Sequence, residues 1–421
     1  MSFGVLMYCK EEITLSLASL KCPGCPDWNP AFGLEQVIKP KKILQCYCHV
    51  IHFHENGSQS IVQRKKMASS KMKLTQNIEI SDPVAKSEKM NILNRVIMKF
   101  INEERDIPIA HLILKISITM IPLAFVILLA TPENISYSVI FAIVYALLFA
   151  RFFGSYHLML HNISHRKLFK SHLSFLNYYP TWFMGAFFGQ SPETYYAHHI
   201  QMHHYENNLL SDKSSTLKYR RDSFIHCMIY FFRFFTIGLW EAIYYFISTK
   251  KYSAAIKVFL GEMSYWALMF FVTWNKPWVG LFIFVVPYFI SRAVMMIGNW
   301  TQHAFVDIED PNNCYRNSIS CINAGYNHLC FNDGYHISHH LKASRHWSDH
   351  PLEIIENKAN YIKENAIVFE KIDFLGVWFL LMLKQHKKLA TYFVNLNEKK
   401  PKTMEQILAL FEERLTPISE K

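Results

Sequence analysis

From Leu112 to Ala130 the chain is apolar apart from Lys115, Ser117 and Thr119. Nineteen helical residues at about 1.5 Å each reach roughly 29 Å, close to the hydrocarbon thickness of a bilayer, so this block predicts a membrane span. Lys115 lies near one end, where its ammonium can snorkel to the interface. The turn Thr131-Pro-Glu-Asn-Ile-Ser136 separates it from a second apolar block, Tyr137 to Phe153. This second helix is expected to run out of the lipid and carry His157, His161 and His165 on one stripe. Tyr178 to Phe188 is apolar but too short to cross and predicts a re-entrant or interfacial segment. Phe224 to Ile247 is long enough, yet His226, Arg233 and Glu241 interrupt it, which predicts an amphipathic helix lying on the interface. Val258 to Trp274 and Trp278 to Ile297 predict two more spans joined at Asn275-Lys-Pro277, with Glu262 and Arg292 near their cytosolic ends.

Outside these blocks the pattern weakens. Residues 1–90 carry Pro23, Pro26, Pro30 and Pro40 with basic runs at Lys39-Pro-Lys-Lys42 and Arg64-Lys-Lys66, and predict a poorly ordered extension. Met67-Ala-Ser-Ser70 reads as a translation start, which would make residues 1–66 an extension or a gene-model artefact. Residues 91–390 form the membrane domain. Asp373 to Gln385 is a short interfacial stretch, and residues 391–421 predict a cytosolic amphipathic tail. There is no internal repeat, phosphate-binding glycine loop, or serine or cysteine nucleophile motif.

Composition fits a multi-pass membrane protein: 51% of the residues are hydrophobic and 15% aromatic. The net charge of +11 is dispersed over loops beside the apolar blocks, which suits anionic lipid rather than nucleic acid. Two crossings precede the first two histidine-rich segments and four precede the third, so all three face one side. Arg166, Lys167, Lys170, Lys213, Lys218, Arg220 and Arg221 mark that side as cytoplasmic, because the two opposite turns hold one lysine between them. Asn162-Ile-Ser164 is a glycosylation sequon inside a histidine-rich segment, so that face should not meet the glycosylation machinery. Asn134-Ile-Ser136 lies opposite, in a turn too tight to be modified. Nine cysteines at irregular spacing make no disulfide framework. Cys22-Pro-Gly-Cys25 with Cys46, Cys48, His49, His52 and His54 has the composition of a zinc site, or of a leader whose thiols stay reduced.

The chemistry concentrates in histidine. His198-His-Ile-Gln-Met-His-His204 places four imidazoles in seven positions, and on an α-helix His199 and His203 share a face with His204 a step round it. His157, His161 and His165 recur every four residues; His336, His339 and His340 follow downstream, and Asn299-Trp-Thr-Gln-His303 lies between. A lone member would read as a satisfied core histidine, but three dense clusters read as one shared metal centre, since neutral imidazole suits iron, zinc and copper.

The spacings His161-x3-His165, His199-x3-His203-His204 and His336-x2-His339-His340 resemble the three histidine boxes of the membrane fatty acid desaturase and hydroxylase superfamily. Asn299 and His303 resemble that family's water-linked asparagine and additional histidine. The resemblance covers roughly residues 110–390. It implies an all-α integral membrane fold: four transmembrane helices in two hairpins under a cytosolic helical cap that holds two iron ions. It implies as iron ligands His161, His165, His199, His203, His204, His303, His336, His339 and His340. The implied reaction uses O2 and two electrons to desaturate an acyl chain carried on a lipid or on CoA. No His-Pro-Gly-Gly of a fused cytochrome b5 occurs, so a separate donor protein is implied, cytochrome b5 in a eukaryote or a ferredoxin in a bacterium. In a eukaryote the membrane would be the endoplasmic reticulum.

His157 and His198 fall outside the matched boxes and are expected behind the ligands, as are His328, His346 and His350 if they are not on the surface. Glu193, Glu206, Asn207, Asp307 and Asp333 are candidates to orient ligand imidazoles through their second nitrogens. The boxes do not separate desaturation from hydroxylation of the acyl chain or of an alkane. A proton-coupled transporter would carry its ionisable groups inside the spans rather than beyond their ends. A zinc hydrolase would show His-Glu-x-x-His, which is absent.

Overall fold

The computed structural model describes residues 5–6, 49–50, 79–84, 90–129 and 135–418. The side chains of the expected zinc site (Cys22, Cys25, Cys46, Cys48, His49, His52 and His54), Met67 and the Asn134 sequon lie outside the described residues. The chain divides into two units, Met1–Asn77 and Ile78–Lys421. In the first, β1 (Val5–Leu6) pairs antiparallel with β2 (His49–Val50). All that follows concerns the second.

Among the described residues, five helices are long and apolar enough to cross a membrane, against the four spans expected. The first, Glu104–Leu129, begins eight residues before the predicted block and bends at Thr119 between α1 (Ile107–Ile118) and α2 (Met120–Leu129). Next, α3 (Ile135–His165) is one helix of 31 residues, about 46 Å, so the second span and the first histidine box share a rigid rod. The hairpin partners are α5 (Tyr252–Asn275) and the run Pro277–Gln302, which ends in α6 (Val286–Gln302). Because α5 starts six residues earlier than its apolar pattern, Glu262 lies ten residues inside it, about 15 Å from its start rather than near the end. There it pairs with Arg292 at 2.7 Å, both side chains largely buried.

The extra candidate is α4 (Phe224–Ser248), the least hydropathic of the five. Each of the three polar residues that interrupt its pattern has a partner. Arg233 pairs with Glu241, and His226 accepts from the Arg220 amide at 2.8 Å. Both ends of α4 touch the same polar segment: Tyr230 donates to the Ser214 carbonyl, Tyr245 to Glu206, and Lys251 just beyond it to the Gln201 carbonyl.

The cap is not purely helical. A parallel pair, β3 (Ile319–Ile322) with β4 (Ile367–Glu370), matches Ile319 to Ile367 and is buried almost throughout. Four-residue apolar runs carry too little periodicity to be read as strands from sequence. Around the pair pack α8 (Phe374–Met382) and α9 (Met404–Leu415), the latter closed by a capping box of Thr403 and Gln406. Phe411 and Leu415 are fully buried in this core, so α9, beyond residue 390, is integral to it. Arg221 fastens the arrangement, donating to the carbonyls of Leu217, Tyr219, Ala304, Arg414 and Thr416. Upstream, buried Asp82 accepts from the Asn323 amide, Asn327 and Tyr335, tying residues 79–84 to the cap.

Candidate metal centre

Four separate stretches deliver the nine histidines. His161 and His165, one turn apart, come from the end of α3. His199, His203 and His204 come from a π-helical turn, Ala197–His203, running into the short helix His204–Glu206. His303 caps the end of α6, and His336, His339 and His340 occupy α7 (His336–Leu341).

These side chains gather into two groups. One comprises His161, His165, His199, His204 and His339; the other His203, His303, His336 and His340, with one nitrogen per residue within 4.8 Å of the rest in each group. The π-turn corrects the α-helical expectation for the second box. Its i to i+5 winding brings His204 edge-on to His199, with Nε2 atoms 3.1 Å apart, and sends His203 to the other group. In α7 the i, i+4 pair His336 and His340 serves one group while His339 faces the other.

The donor set fits metal ions. Within the groups, Nε2 atoms approach at 3.0 Å (His161–His339), 3.2 Å (His165–His199), 2.8 Å (His204–His339), 3.3 Å (His203–His303) and 3.2 Å (His303–His336). Neighbouring nitrogens at right angles on one ion, with bonds of about 2.1 Å, would lie about 3.0 Å apart. His340 turns Nδ1 to Asn207 Oδ1 at 3.1 Å while its buried Nε2 meets no hydrogen-bond partner, leaving a lone pair aimed into its group. Burial, and then the neighbouring imidazoles, hold His199, His204, His336, His339 and His340 well below the usual histidine range, and His303 at about 3. Neutral imidazole is the ligating form.

The outer nitrogens have acceptors. Asp212 Oδ2 accepts from His203 Nδ1 at 2.7 Å, the Asn317 carbonyl from His303 Nδ1 at 2.8 Å, and Asp333 faces His161 Nδ1 at 3.4 Å. Burial alone would raise the Asp212 carboxyl, but His203, His198 and the Ser214 hydroxyl bring it down to about 2. Of the five orienting candidates, Asp333 and Asn207 touch these imidazoles. Glu193 instead takes Trp182 and Lys257, Glu206 takes Tyr245 and Ser211, and Asp307 takes Arg316 and Arg414. Asp212 and the Asn317 carbonyl escaped the sequence reading, because no spacing ties either to a box.

The remaining candidates sit elsewhere. His157 donates from Nδ1 to the Phe153 carbonyl (2.7 Å) and meets Ser291 Oγ with Nε2 (2.8 Å), outside both groups. His198 lies against Phe234 with its Nε2 unpartnered, in neither group. Asn299 donates to the Ser214 carbonyl and to Tyr230. His346 and His350 are buried, bound to Asp106 and Ser338, whereas His328 is exposed. Two further groups, Glu103–Asp106–His346 and Asp222–His386–Glu412, already hold Arg105 and Arg166, or Arg220 and Lys384.

Against both histidine groups opens a cavity of about 380 Å³, touched by His161, His199, His203 and His336 and otherwise walled mainly by apolar side chains of α3, α4 and α6. Paired metal ions at the end of an apolar cavity can direct redox chemistry at one position of a bound hydrocarbon. Neither a curated protein nor a solved structure matches the chain. The model of one family, fatty acid desaturase, does match, over residues 138–356, a stretch that takes in all three boxes and His303. The chain belongs to the fatty acid desaturase family.

Proposed function

We propose that this protein is a membrane fatty acyl desaturase, in which O2 and two electrons convert two adjacent methylenes of a lipid acyl chain into a cis or trans double bond. The observation that carries this reading is the convergence of nine imidazoles, as five and four, at the head of an apolar cavity. The family is one known for di-iron sites. Two irons held by these residues would supply the oxidising power. The overall change consumes one O2, two electrons and two protons and yields the alkene and two waters.

The chain's own part is positional. Asp212, Asn317, Asn207 and Asp333 fix the imidazole rings, and the apolar walls hold the hydrocarbon and exclude water. The electrons would come from a separate donor, cytochrome b5 or a ferredoxin. A cytosolic site in the endoplasmic reticulum membrane follows if the organism is eukaryotic.

Four crossings, with α4 lying along the interface, make the topology consistent. Were α4 a fifth crossing, the ends of α3 and α6 would face opposite sides of the bilayer, some 30 Å apart. His165 and His303, at those two ends, instead join groups linked through the consecutive residues His203 and His204. The contacts of both α4 ends with one polar segment agree.

The test is the fatty acid profile of yeast expressing the full chain beside His203→Ala/His204→Ala. A new unsaturated species lost in the double variant is expected. A hydroxylated species would move the assignment to a hydroxylase, and no product together with no bound iron would overturn it.

A further inference from the structure

We infer that the substrate acyl chain enters sideways from the bilayer, still attached to a membrane lipid, through a mouth framed by α4, α6 and α8. The inference rests on the desaturase reading and concerns which carrier presents the chain.

Four cavity-lining residues on these helices are also exposed on the protein surface: Thr236 and Trp240 of α4, Val294 of α6 and Leu375 of α8. Three are large and apolar, 56%, 44% and 50% exposed for Trp240, Val294 and Leu375. Val294 stands eight residues before the end of α6, about 12 Å below the level of Gln302, within the depth of the hydrocarbon. The mouth is therefore a gap in an apolar, membrane-facing wall, and such a gap admits a hydrocarbon chain without passing it through water.

The electrostatics point the same way. A CoA carrier brings a 3′-phosphate and a pyrophosphate, which arginine and lysine recognise by charge-assisted hydrogen bonds. Among the described residues that line the cavity, the only such cation is Arg292, and it is committed to Glu262, Ser191 and the Gly189 carbonyl. Its acidic counterparts are Glu262, Asp333 and Asp373, leaving the lining negative rather than receptive to phosphate. A lipid whose headgroup stays at the interface needs no cation here.

Gly298 gives a handle on the passage. It lines the cavity, and a Cβ built on it meets nothing within 4 Å, so a larger side chain would occupy open space behind the mouth.

The experiment uses iron-loaded full-length protein in nanodiscs with an electron donor. The same labelled acyl group is supplied on phosphatidylcholine, on ceramide or on CoA. Turnover on phosphatidylcholine or ceramide at least tenfold above CoA is expected, and the better of the two names the lipid class. Gly298→Phe should lower that turnover at least tenfold with iron content unchanged. A second readout needs no turnover: phosphatidylcholine with a mid-chain diazirine should photolabel Phe153 and Leu158 inside the cavity as well as surface Trp240. In Gly298→Phe the inner label should vanish and the Trp240 label remain. Turnover of acyl-CoA alone, with no inner label, would overturn the inference. Inner labelling without turnover on any carrier would leave lateral entry standing and sink the desaturase reading instead.

Discussion

Replacing Asp212 by asparagine should loosen one metal position and spare the other. Asp212 is fully enclosed: Oδ2 accepts from His203 Nδ1 at 2.7 Å, while Oδ1 accepts from the Ser214 amide and hydroxyl at 2.8 and 2.7 Å. An asparagine offers one acceptor and one donor group, so it can serve His203 or Ser214 but not both. Either way a buried donor faces a donor, at a cost of about 1–3 kcal/mol. At about 1.4 kcal/mol per tenfold, this amounts to roughly 5- to 150-fold, in line with the 10–100-fold typical of groups that orient ligand histidines. His203 belongs to the four-histidine group, so the loss should fall there. Anaerobic titration with ferrous iron against a competing chelator should show one site of wild-type affinity and one weakened to that degree, with activity falling alongside. Asp333→Asn should instead weaken the five-histidine site, and by less, because its contact with His161 is 3.4 Å. Two irons bound by Asp212→Asn with wild-type affinity, or both sites weakened alike, would refute the reasoning.

Three further outcomes follow from the packing. Burial, then Arg345 and two histidines, depresses His350 to about 3. Below its unfolded value of about 6.5 the unfolded chain binds a proton that the folded one refuses, so stability is full above that pH and falls toward pH 3. Between pH 7 and 5 this group should cost on the order of 2 kcal/mol, and His350→Gln should flatten the melting-temperature slope; an unchanged slope would reject it. Glu262→Gln leaves Arg292 buried against a neutral partner and should destabilise by about 3–5 kcal/mol, with Glu262→Leu/Arg292→Leu recovering much of the loss in thermal melting; an equally unstable double variant would contradict this. Gly189 has φ of +75° and its missing Cβ would sit 2.2 Å from the Pro287 carbonyl, so Gly189→Ala should cost at least about 1–3 kcal/mol; a wild-type melting temperature would argue that the loop yields.

Much of this protein is written locally. Apolar runs near the thickness of a bilayer announce the membrane helices, because length and hydropathy suffice for a helix in lipid. The spacing of the boxes singles out the nine histidines that the fold brings together, since an imidazole's donor chemistry is a property of the residue. Which histidine joins which group is not local. His203 and His204 are neighbours in sequence yet belong to different groups, because a π-turn and the meeting of α3, α6 and α7 decide where each ring points. Asp212 and the Asn317 carbonyl were invisible because their partners are 9 and 14 residues away, across turns with no periodic signature. The parallel pair of β3 and β4 joins strands some 48 residues apart, too short to declare themselves alone. Sequence determined the donors, since chemistry resides in side chains; the tertiary structure decided their grouping, their orientation and the cavity between them, since each needs segments far apart in the chain to meet.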